Sequence, residues 1–142
     1  MAVHAVIGLL VGKAMSGAFL AHGYQANRLI ALRDPAVLVH AMGQAAAARI
    51  TLRSVEQLEA LAASVPPMAY DLDSYASLGL LWETLALADS ARPGAEDVAR
   101  VRDCLGQALA DIASGPRDLR TRLGAVNRAA SARVRELLRA QW

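Results

Sequence analysis

Residues 3–21 are almost uninterruptedly apolar, with Lys13 the only formal charge and Gly8, Gly12 and Gly17 the gaps in side-chain bulk. No other feature constrains the molecule as strongly. A helix that is apolar all round must be enclosed by protein or by lipid. The 19 residues of the run approach the roughly 20 needed to span a bilayer. Lys13 near its middle argues for the protein interior, because a lysine at mid-bilayer costs roughly 2.5–3.5 kcal/mol on insertion scales. No basic flank precedes the run, so a secretory signal is not expected. The expectation is a central helix over residues 3–22, walled in by the amphipathic helices after it. Gly8-x-x-x-Gly12, with Gly17, would let helices approach closely. Self-association through that face is one alternative, and membrane association through residues 3–21 is another.

Composition points to helices. Hydrophobic residues make up 55% of the chain but aromatic ones only 4%, and alanine alone is about a fifth. Ala and Leu lose little on entering a helix, whereas the β-branched and aromatic residues that suit a pleated surface are sparse. The predicted fold is all-α, a compact bundle of about five to six helices. It forms a single domain over residues 1–142, with core helices within 24–113 and a C-terminal helix over 116–140. A chain of this size buries roughly 70% of the surface its unfolded form exposes, so it folds without a disulfide or metal. Cys104 is the only cysteine, which excludes an internal disulfide and fits a cytoplasmic setting.

Local signals set the boundaries. Asp34-Pro35 reads as N-cap and first helical residue of a helix to about Ile50. Ser54 and Gln57 have capping-box spacing and start a short helix to about Ala63. Pro66-Pro67 ends it, and a loop is expected to Asp73. Asp73 or Ser74 caps a helix over 75–89, where Leu78, Leu81, Trp82 and Leu85 make an apolar stripe. Arg92-Pro93-Gly94 is a turn. A helix over 95–113 follows, with Val98, Val101, Leu105, Leu109 and Ile112 on one face.

The last predicted helix carries the clearest candidate surface. At helical spacing Leu119, Leu123, Val126, Ala130, Val134 and Leu137 share one face, and Arg117, Arg128, Arg135 and Arg139 lie opposite. Guanidinium forks bind carboxylate and phosphate bidentately, so this face suits an acidic protein, a nucleic-acid backbone or anionic lipid. No aromatic residue interleaves the arginines, which leaves base stacking unsupported. The net charge of +2 does not by itself call for a nucleic-acid partner. The competing reading is a solvated face whose arginines pair with nearby acids.

Catalytic signals are thin. Gly8 to Ala14 superficially resembles a phosphate-binding loop, but three residues rather than four separate its glycines and Ala14 stands where Ser or Thr is required. The three histidines lack carboxylates at helical spacing, so neither metal nor cofactor is expected. Cys104 reads as a small core residue. Arg33 and His40, with six residues between them and a polar residue directly after the arginine, resemble the R-x(4–6)-H signature of HEPN domains. That resemblance implies an all-α, often dimeric, metal-independent ribonuclease or toxin. Arg33 would steady the scissile phosphate and His40 would transfer protons. The bland reading makes Arg33 the residue before an N-cap and His40 a half-buried helix residue. The favoured functional reading is a non-enzymatic interaction or regulatory module that binds a protein partner or self-associates. The HEPN-like nuclease and the membrane-associated protein are its alternatives.

Overall fold

The computed structural model describes residues 4–142, and its first regular element is a strand. Strand β1 spans Ile7–Leu10, β2 Ala14–Met15 and helix α1 Gly17–Ala21. A 3-10 turn at Gly23–Gln25 leads to β3 (Arg28–Leu32) and β4 (Val39–His40). Helices α2 (Gln44–Thr51), α3 (Val55–Ala62) and α4 (Leu72–Ser77) precede β5 (Glu83–Leu85). Helix α5 (Ala95–Ser114) and, after two 3-10 segments, α6 (Ala129–Gln141) complete the order.

The strands form two parallel sheets. One has the order β1-β3-β5, and the other pairs β2 with β4. This α/β architecture replaces the expected all-α bundle. The reason lies in β3, whose five residues are all buried. Ile30 faces α5 and packs on Cys104 and Ala108. Leu29 and Ala31 lie in the opposite layer with Val37, Val39, Leu72, Tyr75 and Leu80. A parallel strand covered on both faces reads as a continuous apolar run, the same signal as a buried helix. Gly8 lies beside Leu29 in the parallel β1–β3 pair, and a Cβ there would come within 2.6 Å of Leu29 Cδ1. The glycine therefore serves close strand packing rather than helix pairing.

Four helix boundaries change accordingly. The apolar helix over 3–22 is resolved into β1, β2 and α1, with its first residue outside the described range. Among the described residues no helix is long and apolar enough to cross a membrane. The predicted helix over 35–50 begins instead with a turn. Asp34 Oδ1 accepts the Ala36 N–H at 2.8 Å and the Asp34 carbonyl takes the Val37 N–H at 2.9 Å, after which Val39 and His40 enter β4. The predicted helix over 75–89 ends at Ser77, because Gly79 at φ +72° turns the chain and the apolar residues beyond it feed β5. Residues 120–128 are 3-10 turns, not α-helix. The Ser54–Gln57 capping box is present, with both reciprocal bonds formed. Helix α5 covers the predicted stretch and buries Cys104, Ala108 and Ile112.

Two polar anchors fix α5 to the sheet. Asp97, itself buried, accepts the Ala88 N–H at 2.9 Å and also takes the Asp89 and Gly94 N–H groups. At the other end buried Arg28 meets Asp111 at 2.5 Å and donates to the carbonyls of Asn27 and Pro116. Buried charge is tolerated when it is paired and its remaining protons are satisfied, which is the case for Arg28.

Candidate functional site

Strands β2 and β4 run parallel in register, Ala14 beside Val39 and Met15 beside His40. Each hands the chain to a helix within a few residues, β2 to α1 and β4 to α2. Two helix N-termini therefore lie at the C-terminal ends of neighbouring strands, the place where ligands bind in open parallel sheets. Ser16 caps α1 by accepting the Phe19 N–H at 3.1 Å. The N–H groups of Gly17 and Ala18 have no intrahelical acceptor, as in any first helical turn. Gly43 caps α2, and its carbonyl takes the N–H groups of Ala46 and Ala47. Gln44 and Ala45 are the matching free donors. Gly17 and Gly43 have open space where a side chain would begin. Free N–H groups at both ends, with the dipole of the eight-residue α2, favour an anion or a developing oxyanion there.

Tyr70 holds this edge in place. Its hydroxyl donates to the Met42 carbonyl at 2.8 Å, and its own carbonyl accepts the Val39 N–H at 3.0 Å. The ring stacks on His40 with centroids 4.0 Å apart and planes 13° from parallel. Burial raises the Tyr70 phenol above its ordinary value, so it stays protonated and keeps donating. Burial also pushes His40 below its ordinary value, and its Nδ1 accepts the Met42 N–H at 3.4 Å. Sequence reasoning passed over Ser16, Gly43 and Tyr70. Their usable signal was an apolar run of strand length followed by an N-cap serine and small residues.

Of the residues singled out from the sequence, Gly17 and His40 belong to this edge and the others fall elsewhere. Arg33 bonds Asp73 at 3.1 Å and Thr84 at 3.3 Å, while His40 faces Tyr70. No hydrogen bond or ion pair joins Arg33 to His40 among the described residues. Gly8 is inside β1, Gly12 lies in the β1–β2 connection, and Gly17 opens α1. The described residues contain no group of three His, Cys, Asp or Glu side chains placed to hold a metal.

Of the four candidate arginines, Arg128, Arg135 and Arg139 line one cleft and Arg117 lies outside it. The cleft, of about 780 Å³, is also lined by Tyr24, Asp118, Arg120 and Arg122. Arg122 donates to the carbonyls of Tyr24 (2.7 Å) and Ala26 (3.3 Å) and lies 5.3 Å from the Tyr24 ring centroid. Arg128 donates to the Leu78 carbonyl and to the Tyr24 hydroxyl, both at 3.0 Å. Tyr24 in turn takes the edge of Phe19 from α1, at 6.2 Å and 90°. Arg128 is thus partly spent on holding the C-terminal segment to the body of the protein.

Comparison with known proteins identifies the company this arrangement keeps. The profile of MdcE, the malonate decarboxylase gamma subunit, matches residues 1–142. The fold is similar to a chain of a Pseudomonas malonate decarboxylase hetero-tetramer in complex with coenzyme A. The TM-score is 0.90 with 77% identity, over 98% of this chain and 53% of that one. A Pseudomonas MdcD-MdcE hetero-dimer gives a TM-score of 0.84 and 70% identity over 99% of this chain and 51% of that one. In sequence the chain is 31% identical over 110 residues to the malonyl-S-ACP:biotin-protein carboxyltransferase MADD of Malonomonas rubra, covering 77% of this chain and 34% of that protein. The chain spans about half the length of the Pseudomonas chains and about a third of the Malonomonas protein. These matches overturn the reading as a non-enzymatic regulatory module, and with it the HEPN-like and membrane-anchored alternatives. The short Arg33–His40 spacing and the apolar opening run are products of a β3–β4 turn and a buried strand.

Proposed function

The chain belongs to the malonate decarboxylase gamma subunit family, and from that premise we propose that its paired helix N-termini bind the acyl group of a malonyl thioester during loss of carbon dioxide. The observation that carries this reading is the side-by-side placement of free N–H donors at the ends of β2 and β4. Relatives in complex with malonate and with coenzyme A, and one named for malonyl-S-ACP, supply the substrate class. In the reaction the bond between the α-carbon and the carboxylate breaks and carbon dioxide leaves. The electron pair passes to the α-carbon and the thioester carbonyl, giving an enolate. A proton then adds at the α-carbon, and the product is the acetyl thioester. Charge develops on the carbonyl oxygen, so N–H donors fixed in advance stabilise the transition state more than the ground state. Neutral His40 and the Tyr70 hydroxyl bond keep the turn before α2 in one shape, which is what such donors require.

The site is proposed to be completed by a second subunit. A related chain is seen in an MdcD-MdcE hetero-dimer, and Val11, Ile50 and Leu52 are large apolar residues left exposed here. Decarboxylation is favoured over carboxyl transfer to biotin because the decarboxylase chains are 70% identical or more, against 31% for the carboxyltransferase.

Gly17→Pro tests the reading. Gly17 is the first residue of α1, where proline fits a helix, and Ser16 at ψ 161° has the extended shape that a following proline prefers. The substitution removes one N–H and little else. With the second subunit present, kcat for malonyl-thioester decarboxylation is expected to fall about 10²-fold, as for loss of one oxyanion donor, with the helical circular dichroism unchanged. Gly17→Ala keeps the N–H and is expected to retain activity. Full activity in Gly17→Pro would remove α1 from the mechanism.

A further inference from the structure

Helix α1 has little to hold it in place. It spans five residues and buries none of them. A helix that short does not keep its shape or its direction alone, so packing must supply both. Phe19 is the residue that packs it against the main core. The Phe19 ring meets Tyr24 edge-on at 6.2 Å and 90°, and its N–H donates to the Ser16 hydroxyl that caps α1 at 3.1 Å. Phe19 thus joins the start of the helix to the 3-10 turn behind it. Gly23 opens that turn beside the same ring, and a Cβ there would come within 2.6 Å of Phe19 Cδ2. The position of α1 is therefore set by the position of Tyr24 and its turn.

Tyr24 is gripped by two guanidinium groups from residues 98 and 104 positions further along the chain. Arg122 donates to the Tyr24 and Ala26 carbonyls and lies over the Tyr24 ring. Arg128 donates to the Tyr24 hydroxyl and to the Leu78 carbonyl. The tyrosine is thus held at its backbone, its ring face and its hydroxyl. Both arginines are half-buried, and among the described residues neither has a carboxylate within ion-pair distance. Burial lowers the Arg122 guanidinium below its ordinary value. A half-buried charge with only neutral partners is costly, and an apolar side chain would close the same gap without that cost. What the guanidinium adds is direction, because its planar fork fixes two acceptors at once.

We propose that Arg122 and Arg128 are positioning residues for the decarboxylation, acting through Tyr24 and Phe19 to hold α1 and the end of β2 beside the end of β4 and α2. The inference rests on the malonyl-thioester reading for the reaction, and on the bonds to Tyr24 for the tether itself. Gly17 and Ala18 immediately precede Phe19, so a tilt of that residue carries their N–H groups with it. Donors to a developing oxyanion act only if they are set in place beforehand. A displacement of about 1 Å, caused by a change far from the chemistry, can cost about 10²-fold in rate.

The test uses the full chain reconstituted with its second subunit, with malonyl-S-N-acetylcysteamine as the small thioester substrate. Arg122→Met removes the fork at similar length, and Arg122→Lys keeps a charged donor. In Arg122→Met, kcat is expected to fall about tenfold or more with KM unchanged, and Arg122→Lys should recover part of the loss. Amide hydrogen exchange across α1 should quicken in Arg122→Met while α5 exchanges as in wild type. Tyr24→Phe takes away only the hydroxyl that Arg128 bonds, and is the milder variant should Arg122→Met not fold. It is expected to move kcat and α1 exchange in the same direction, and no change in either would overturn the part given to Arg128. A double-variant cycle separates positioning from general bracing. In the Gly17→Pro background, where one α1 donor is already gone, Arg122→Met should cost much less than it does alone. An undiminished loss there would overturn the proposal, and so would α1 exchange that Arg122→Met leaves unchanged. Full activity in Gly17→Pro would instead refute the part given to α1 in the reaction, and the exchange measurement, which needs no turnover, would still decide the tether.

Discussion

Replacing Gly79 by alanine tests how the C-terminal segment is seated. Gly79 has φ +72°, a conformation that costs a residue with a Cβ roughly 1–2 kcal/mol. The new methyl would lie 2.7 Å from Ala125 Cβ and 3.0 Å from the Arg122 carbonyl oxygen. Neither neighbour is the tip of a flexible side chain, so the segment around residues 122–125 must shift. Overpacking of that kind costs typically 1–3 kcal/mol. The sum is a destabilisation of about 2–5 kcal/mol. At roughly 3 °C per kcal/mol for a chain of this size, Tm is expected to fall by about 6–15 °C in a thermal scan. Gly106→Ala is the internal control. Gly106 is inside α5 with open space around it, and alanine there is expected to stabilise by roughly 0.5–1 kcal/mol. Limited proteolysis adds a local readout, with new cleavage expected between residues 116 and 128 in the Gly79 variant. A Gly79→Ala protein that melts within a degree of wild type would refute the close approach on which the cleft geometry depends.

Two further expectations concern the edge near α2. His40 is held below its ordinary value of 6.5 by burial. The unfolded chain therefore takes up this proton first as the pH falls. The stability that neutral His40 contributes is complete above pH 6.5 and is lost as the pH drops through the lowered folded value. Urea midpoints between pH 8 and 5 should show that loss, and His40→Phe, which keeps the ring on Tyr70, should flatten it; an unchanged profile would contradict the assignment. Tyr70→Phe removes only the hydroxyl bonded to the Met42 carbonyl. It is expected to cost about 1 kcal/mol in chemical denaturation and to lower kcat of the reconstituted complex, and no change in either would show that the turn before α2 is held by other contacts.

Sequence alone determined those features whose causes are local. The Ser54–Gln57 capping box and the extent of α5 depend on residues a few positions apart, and they stand as read; the predicted α5 stripe does not, because Cys104 and Ala108 are buried with Ile112 while Val98 and Leu109 are exposed. The accumulation of arginine toward the C-terminus was legible for the same reason. Tertiary structure decided the rest. Residues 7–10 and 29–32 are apolar enough for either a buried helix or a two-sided parallel strand, and only their pairing with each other and with β5 chooses the strand. Alanine's helix propensity, a few tenths of a kcal/mol per residue, is outweighed by burying Leu29, Ile30 and Ala31 between two layers. The candidate site was hidden because its donors are backbone N–H groups, which every residue possesses. What makes them a site is the register of β2 beside β4, a relation between residues about 25 positions apart. Likewise the arginine face of a single imagined helix becomes a cleft only when 3-10 turns fold residues 120–128 back onto Tyr24.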